Sequence, residues 1–169
     1  DAIPPLLVEG AEVHVASVRG ERRIPLGDFL LGVKRNALEP DEIVVSVRVE
    51  PSRAGQTFMK VGPRNAMVIS VCSLALHVDR ERGELRAAFG SAAPTVRLVT
   101  APLDEADGFP ALVAGSASPI DDVRGTAAYR RHALAAAEPR IRHAARQGRG
   151  LRPPARRHHR PAVDRQARA

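Results

Sequence analysis

Apolar and polar residues alternate in two stretches of the first fifty residues. Ala11–Ser17 sets Val13 and Val15 against Glu12 and His14, the period of a half-buried strand. Glu42–Val49 does the same, with Ser46 and Arg48 facing away from Val45, Val47 and Val49. Gly20-Glu21 turns the chain between them, and Leu26–Val33 predicts a single helical turn. Thr57–Val61 reads as a third strand, stopped by Gly62-Pro63. A long apolar run, 66–78, a charged turn, 79–83, and a shorter run, 84–89, predict an antiparallel hairpin. Residues 91–96 form a loop around Pro94. Leu103–Leu112 predicts a helix that Gly108 and Pro110 weaken. Asp121–Ala137 predicts the last helix, capped by Thr126 or Asp122. Short strands followed by helices give an α+β class.

Charge changes the picture at one end only. The 169 residues carry 26 Lys/Arg against 19 Asp/Glu, a net charge of +7. Residues 139–169 hold ten of the arginines and a single acid, Asp164, while residues 1–138 are slightly acidic. This tail is almost all Arg, Ala, Pro, His and Gly, with only Ile141, Leu151 and Val163 able to anchor a core, so it is expected to be disordered. Its composition is also that of a GC-rich gene read in a shifted frame. A phosphate-holding arginine arm and a plain solvated tail are the other readings. With 3% aromatics and no Trp, the chain lacks the rings of a base-stacking surface. No apolar run approaches the ~20 residues that span a bilayer. One cysteine excludes an intrachain disulfide framework and agrees with a cytoplasmic location. The first residue is not Met, from which a start inside a longer reading frame is expected.

Local chemical motifs are few. There is no GxGxxG and no Walker loop. Gly115-Ser116-Ala117-Ser118 lacks the closing Gly of a nucleophile elbow. Cys72, inside an apolar run, reads as a small core residue. His158-His159 have no partner at metal-ligand spacing, and Asp121-Asp122 suit a helix start better than a cation.

Seven blocks, in order, carry a resemblance. They are 1–7 (DAIPPLL), 11–17, 20–31, 41–51 (DEIVVSVRVEP), 58–66 (FMKVGPRNA), 89–94 (FGSAAP) and 121–132 (DDVRGTAAYRRH). Together they resemble the flavin-binding (medium) subunit of the molybdenum hydroxylases, the family of xanthine dehydrogenase and aerobic carbon monoxide dehydrogenase. The resemblance covers residues 1 to about 135 and has no counterpart of the family's two upstream Gly-rich loops, which hold the FAD pyrophosphate. It implies a C-terminal portion. Residues 1–53 would end a FAD-binding domain, 54–138 would form the family's small C-terminal domain, and 139–169 would be the tail. The small domain would be a three-stranded antiparallel sheet (56–61, 66–78, 84–90) backed by helices near 103–114 and 121–137.

The resemblance further implies the cofactor FAD, with molybdopterin on a large partner subunit and 2Fe-2S clusters on a small one. Electrons would pass from the clusters through FAD to an acceptor. Asp1, Ile43, Val44, Lys60 and Arg64 are the cofactor-binding candidates. Asp1 would lie near the ribityl–pyrophosphate. Ile43 and Val44 would offer backbone groups to the isoalloxazine rim. Lys60, one of two lysines, would put a compact cation near the ring and favour its anionic reduced form. Arg64 would stand at the flavin mouth or an interdomain contact. Tyr129, Arg130 and Arg131 would pack the last helix or face a partner subunit. A non-catalytic module whose basic tail meets acidic partners or nucleic acid is the alternative. Neither a membrane nor a resident metal is expected.

Overall fold

The computed structural model describes residues 1–148 other than 51, 53 and 65–67. The chain opens with α1 (Ile3–Val8), which the alternation did not predict. Pro4 and Pro5 sit in its first turn, where amide hydrogens have no intrahelical acceptor to lose. Gly10 ends it at φ +69°, a conformation that penalises any Cβ. The Gly10 amide then donates to the Leu7 carbonyl and the Ala11 amide to that of Leu6, a Schellman closure.

Next come β1 (Glu12–Ser17), β2 (Gly20–Pro25), a four-residue α2 (Leu26–Phe29) and β3 (Ile43–Arg48). They form an antiparallel sheet in the order β2-β1-β3. One sheet face buries Val13, Val15 and Ile24 with Leu7 and Val8 of α1 and Leu26 of α2. On β3 the simple alternation fails. Val44 pairs with Val15 and Ser46 with His14, so Val45 is an extra, bulged residue. The bulge puts both Val44 and Val47 on the side of Val15 and Val13, and leaves Ile43 beside Ala16 on the other. Every residue of this edge strand is exposed.

The second sheet has the order β4-β5-β6-β7: β4 (Gly55–Val61), β5 (Cys72–Asp79), β6 (Glu84–Gly90) and β7 (Arg97–Pro102). It is four-stranded where three strands were expected, and β7 is the addition. β5 begins at Cys72; of the preceding apolar run, 68–71 is non-strand and 66–67 lies outside the described residues. One face, with Leu74, Leu76, Leu85, Phe89 and Val99, packs on α3 (Phe109–Gly115), α4 (Ala127–Ala136) and α5 (Glu138–Gly148) through Phe109, Val113, Leu134 and Ile141. The other face buries Ala75 and Ala88 against α1 and the first sheet. Covering on both sides explains why β5 is apolar almost throughout.

The helical layer differs from expectation in three ways. Residues 103–105 form a 3-10 turn, and the helix starts later, with Pro110 in its first turn rather than breaking it. Residues 121–125 make a turn before α4, whose Thr126 hydroxyl accepts the Tyr129 amide at 3.2 Å, as the capping pattern predicts. Arg130 of α4 is buried. It donates to the Ile120 carbonyl at 2.8 Å and to Asp122, and thereby fixes that turn. Finally, the helices continue past Glu138. Ala137 ends α4, Pro139 lies in the first turn of α5, and Ile141 is buried. Residues 139–148, assigned to the tail, are therefore helical, and Ile141 among them packs into the layer. The remainder, 149–169, lies outside the described residues.

Candidate functional site

Lys60 sits on β4, an edge strand. The register pairs it with Ser73, Phe58 with Ala75 and Gln56 with His77. Residues directly opposed across a ladder share a face. Lys60 and the half-exposed Phe58 thus project from the α1 side of the second sheet, not from its helix-covered side. Its ammonium donates to the Asp1 carboxylate at 2.7 Å and to the Val68 carbonyl at 3.0 Å. The other Asp1 oxygen accepts the Ser70 hydroxyl at 2.7 Å and the Ser70 amide at 3.3 Å. Side-chain exposure is 31% at Lys60 and 28% at Asp1, so the pair is braced from below and open to solvent above. The fold thus joins the first residue, immediately before α1, to β4 and the segment before β5.

Of the five candidates, Asp1 and Lys60 are brought into direct contact. Arg64 is exposed, just after Gly62-Pro63 at the end of β4. Ile43 and Val44 lie on the other sheet, at its β3 edge, and are 67% and 45% exposed. Of two successive residues on such an edge, one turns its N–H and C=O outward, which is the capacity expected of them. Ser70 was not foreseen. It is buried, and its only signal in the sequence is a hydroxyl interrupting the apolar run 66–78.

Other candidates resolve as structural. Burial pushes the Cys72 thiol up to about 11, so it stays protonated and inert. Asp122 is held well below the usual carboxylate range, first by its hydrogen bond from Arg130 and then by the Arg124 amide. Among the described residues, no cluster of His, Cys, Asp and Glu could hold a metal ion, and no helix is long and apolar enough to cross a membrane.

Comparison with known proteins gives these features a context. Residues 1–51 match the family described as the FAD-binding domain in molybdopterin dehydrogenase. The xanthine dehydrogenase FAD-binding subunit of Escherichia coli O157:H7 is 38% identical over 101 residues, which are 56% of this chain and 35% of that protein. The nicotinate dehydrogenase FAD-subunit of Eubacterium barkeri is 35% identical over 86 residues, 47% of this chain and 29% of that one. The chain spans about a third of the length of these curated relatives. Its fold matches carbon monoxide dehydrogenase from Hydrogenophaga pseudoflava with a TM-score of 0.73 at 20% identity, over 88% of this chain and 56% of that one. Quinoline 2-oxidoreductase from Pseudomonas putida 86 matches at 0.72, with the same identity and coverage. Residues 1–51 thus match a FAD-binding domain of molybdopterin dehydrogenases, and the chain is similar over part of its length to FAD-binding subunits of xanthine and nicotinate dehydrogenases, with an α+β fold also found in carbon monoxide dehydrogenase.

Proposed function

We propose that this chain supplies the ring-side half of a FAD site in a molybdenum hydroxylase, with Asp1, Ile43, Val44, Lys60 and Arg64 as the groups that meet the cofactor. Residues 1–53 would close the FAD-binding domain, and 54–138, extended by α5, would form the small C-terminal domain. The observation that carries this reading is the Asp1–Lys60 pair, half-open to solvent on the α1 side of the second sheet.

The residues present suit part of the cofactor. A cation, a carboxylate, the exposed Phe58 ring and a strand edge that has no further strand beside it among the described residues match the polar rim and flat faces of an isoalloxazine. The sequence has no Gly-rich loop to cradle a pyrophosphate, so that task falls to residues upstream of the matched region. When bound, FAD supplies electron exchange between two-electron and one-electron partners. Lys60 holds positive charge beside the ring, and its bonds to Asp1 and Val68 fix the position of that charge. Asp1, itself fixed by Ser70, partly neutralises Lys60 and so tempers its pull on electrons.

By the same reading, partner subunits carry molybdopterin and 2Fe-2S clusters, electrons pass from the clusters to FAD and on to an acceptor, and the complex works in the cytoplasm. The test is Lys60→Gln in the complete flavoprotein subunit, followed by titration of the bound-flavin midpoint potential. A lower potential with unchanged flavin content supports the assignment. An unaltered potential and unaltered turnover remove Lys60 from the site.

A further inference from the structure

We propose that the turn at 122–125, in front of α4, positions the Asp1–Lys60 pair by acting through residues 68–71. This short strap holds both members of the pair. The Val68 carbonyl accepts the Lys60 ammonium at 3.0 Å, and the Ser70 hydroxyl and amide donate to Asp1 at 2.7 and 3.3 Å. The strap belongs to no strand. Contacts at three points hold it instead. The Val71 amide donates to the Val61 carbonyl, at the end of β4, at 2.8 Å. The Val68 side chain lies over Gly62, where an added Cβ would meet it at 2.6 Å. On the helix side the Val71 side chain lies against Gly125, where an added Cβ would meet its Cγ1 at 2.8 Å. Ser70 and Val71 are both buried.

Gly125 is a firm backstop. Its amide and carbonyl exchange hydrogen bonds with the backbone of Asp122 at 3.1 and 3.2 Å. The buried Arg130 grips the Asp122 carboxylate and the Ile120 carbonyl, and Asp122 also accepts the Arg124 amide at 2.8 Å. A guanidinium buried that deeply keeps its partners, because losing one leaves an uncompensated charge. Valine, stiff at χ1, has little room to turn aside. A displacement at Gly125 therefore passes to Val71 and on to Ser70 and Val68. Both of these damp the ammonium, Val68 through its carbonyl dipole and Ser70 by keeping Asp1 beside it. A shifted strap leaves Lys60 the stronger cation. The consequence for a flavin rests on the function proposed above; the mechanical link from turn to ion pair does not.

The experiment has two readouts. Amide NMR spectra of the full chain report the link. Gly125 has no positive φ, so Gly125→Ala acts by crowding Val71 and is expected to shift the Val68, Ser70 and Lys60 signals. Val71→Ala, which opens a gap at the same contact, shifts them as the second variant, and the two substitutions together restore them. Gly115→Ala, whose Cβ meets nothing, is the control and leaves them in place. In the complete flavoprotein subunit, Gly125→Ala and Ser70→Ala are expected to move the flavin reduction equilibrium about threefold or more toward the reduced form. Val68, Ser70 and Lys60 signals unmoved by both Gly125→Ala and Val71→Ala would overturn the proposal. So would a flavin equilibrium that answers to Lys60→Gln but to neither Gly125→Ala nor Ser70→Ala. Indifference to Lys60→Gln dismisses the flavin reading instead, and the NMR signals then decide the link alone.

Discussion

Ile141→Ala tests whether the arginine-rich end of the chain belongs to the folded body. Ile141 is 1% exposed and packs in the cluster that includes Leu76, Phe109, Val113 and Leu134. The substitution removes three carbons, worth about 0.8 kcal/mol each when buried, or roughly 2.4 kcal/mol of transfer free energy. A partly collapsed cavity adds about 1 kcal/mol. Alanine's better helix propensity returns a few tenths, roughly 0.4 kcal/mol. The expected loss is about 3 kcal/mol, equivalent to a fall in Tm of roughly 6–12 °C for a domain of this size. Urea unfolding followed by far-ultraviolet circular dichroism measures it, with Arg140→Ala as the exposed control, expected within about 0.5 kcal/mol of the parent. If Ile141→Ala also falls within that margin, α5 does not pack as described and the helical layer ends with α4.

Lys60→Gln and Asp1→Asn should move the bound-flavin potential of the complete subunit in opposite directions, down and up, by roughly 30 mV for each 1.4 kcal/mol of altered interaction; shifts of the same sign would dismiss the ion pair as a tuning device. Gly90→Ala should cost about 1–3 kcal/mol, because an added Cβ meets the Ser73 hydroxyl at 2.8 Å and the Pro4 ring at 3.3 Å. Ser73→Ala in that background should recover part of the loss in a denaturation series, and no recovery would contradict the geometry. Glu42 is held at about 2, chiefly by its hydrogen bond from Arg22, against an ordinary value of 4.5. A depressed carboxylate stabilises the fold above its unfolded pKa, and that contribution is lost as pH falls through the folded one. Glu42→Gln should therefore flatten the stability curve between pH 4.5 and about 2, and an unchanged acid limb would refute the linkage.

Much of the second sheet was legible because its pattern is local. The 84–89 run and the charged turn before it require only a hairpin, and the register follows. The first sheet was harder. β2 is Gly-Glu-Arg-Arg-Ile-Pro, with one buried residue, and is a strand only because β1 lies alongside to accept its ladder. β3 does alternate, but the Val45 bulge turns the phase midway. Prolines misled twice and in the same sense: at Pro4-Pro5 and at Pro110 the ring opens a helix that the sequence reading weakened or left out. At Pro139 the composition hid the helix altogether, since Ile141 is the lone apolar anchor between Arg140 and Arg142. At the site, Asp1 and Lys60 came from family resemblance. Nothing in their spacing of 59 positions foretells a salt bridge, because the contact exists only once α1 lies on the second sheet.

The Val8 carbonyl, at the last residue of α1, accepts two hydrogen bonds, from His77 Nδ1 at 2.9 Å and from Arg86 at 3.3 Å. One oxygen thus stitches the opening helix to two neighbouring strands. Lifting the helix would strand a buried imidazole N–H and loosen a guanidinium at once, a penalty added to the loss of apolar contact. The seam between the two halves of the molecule is therefore built to stay shut, and a charge mounted on one half keeps a fixed bearing on whatever the other half holds.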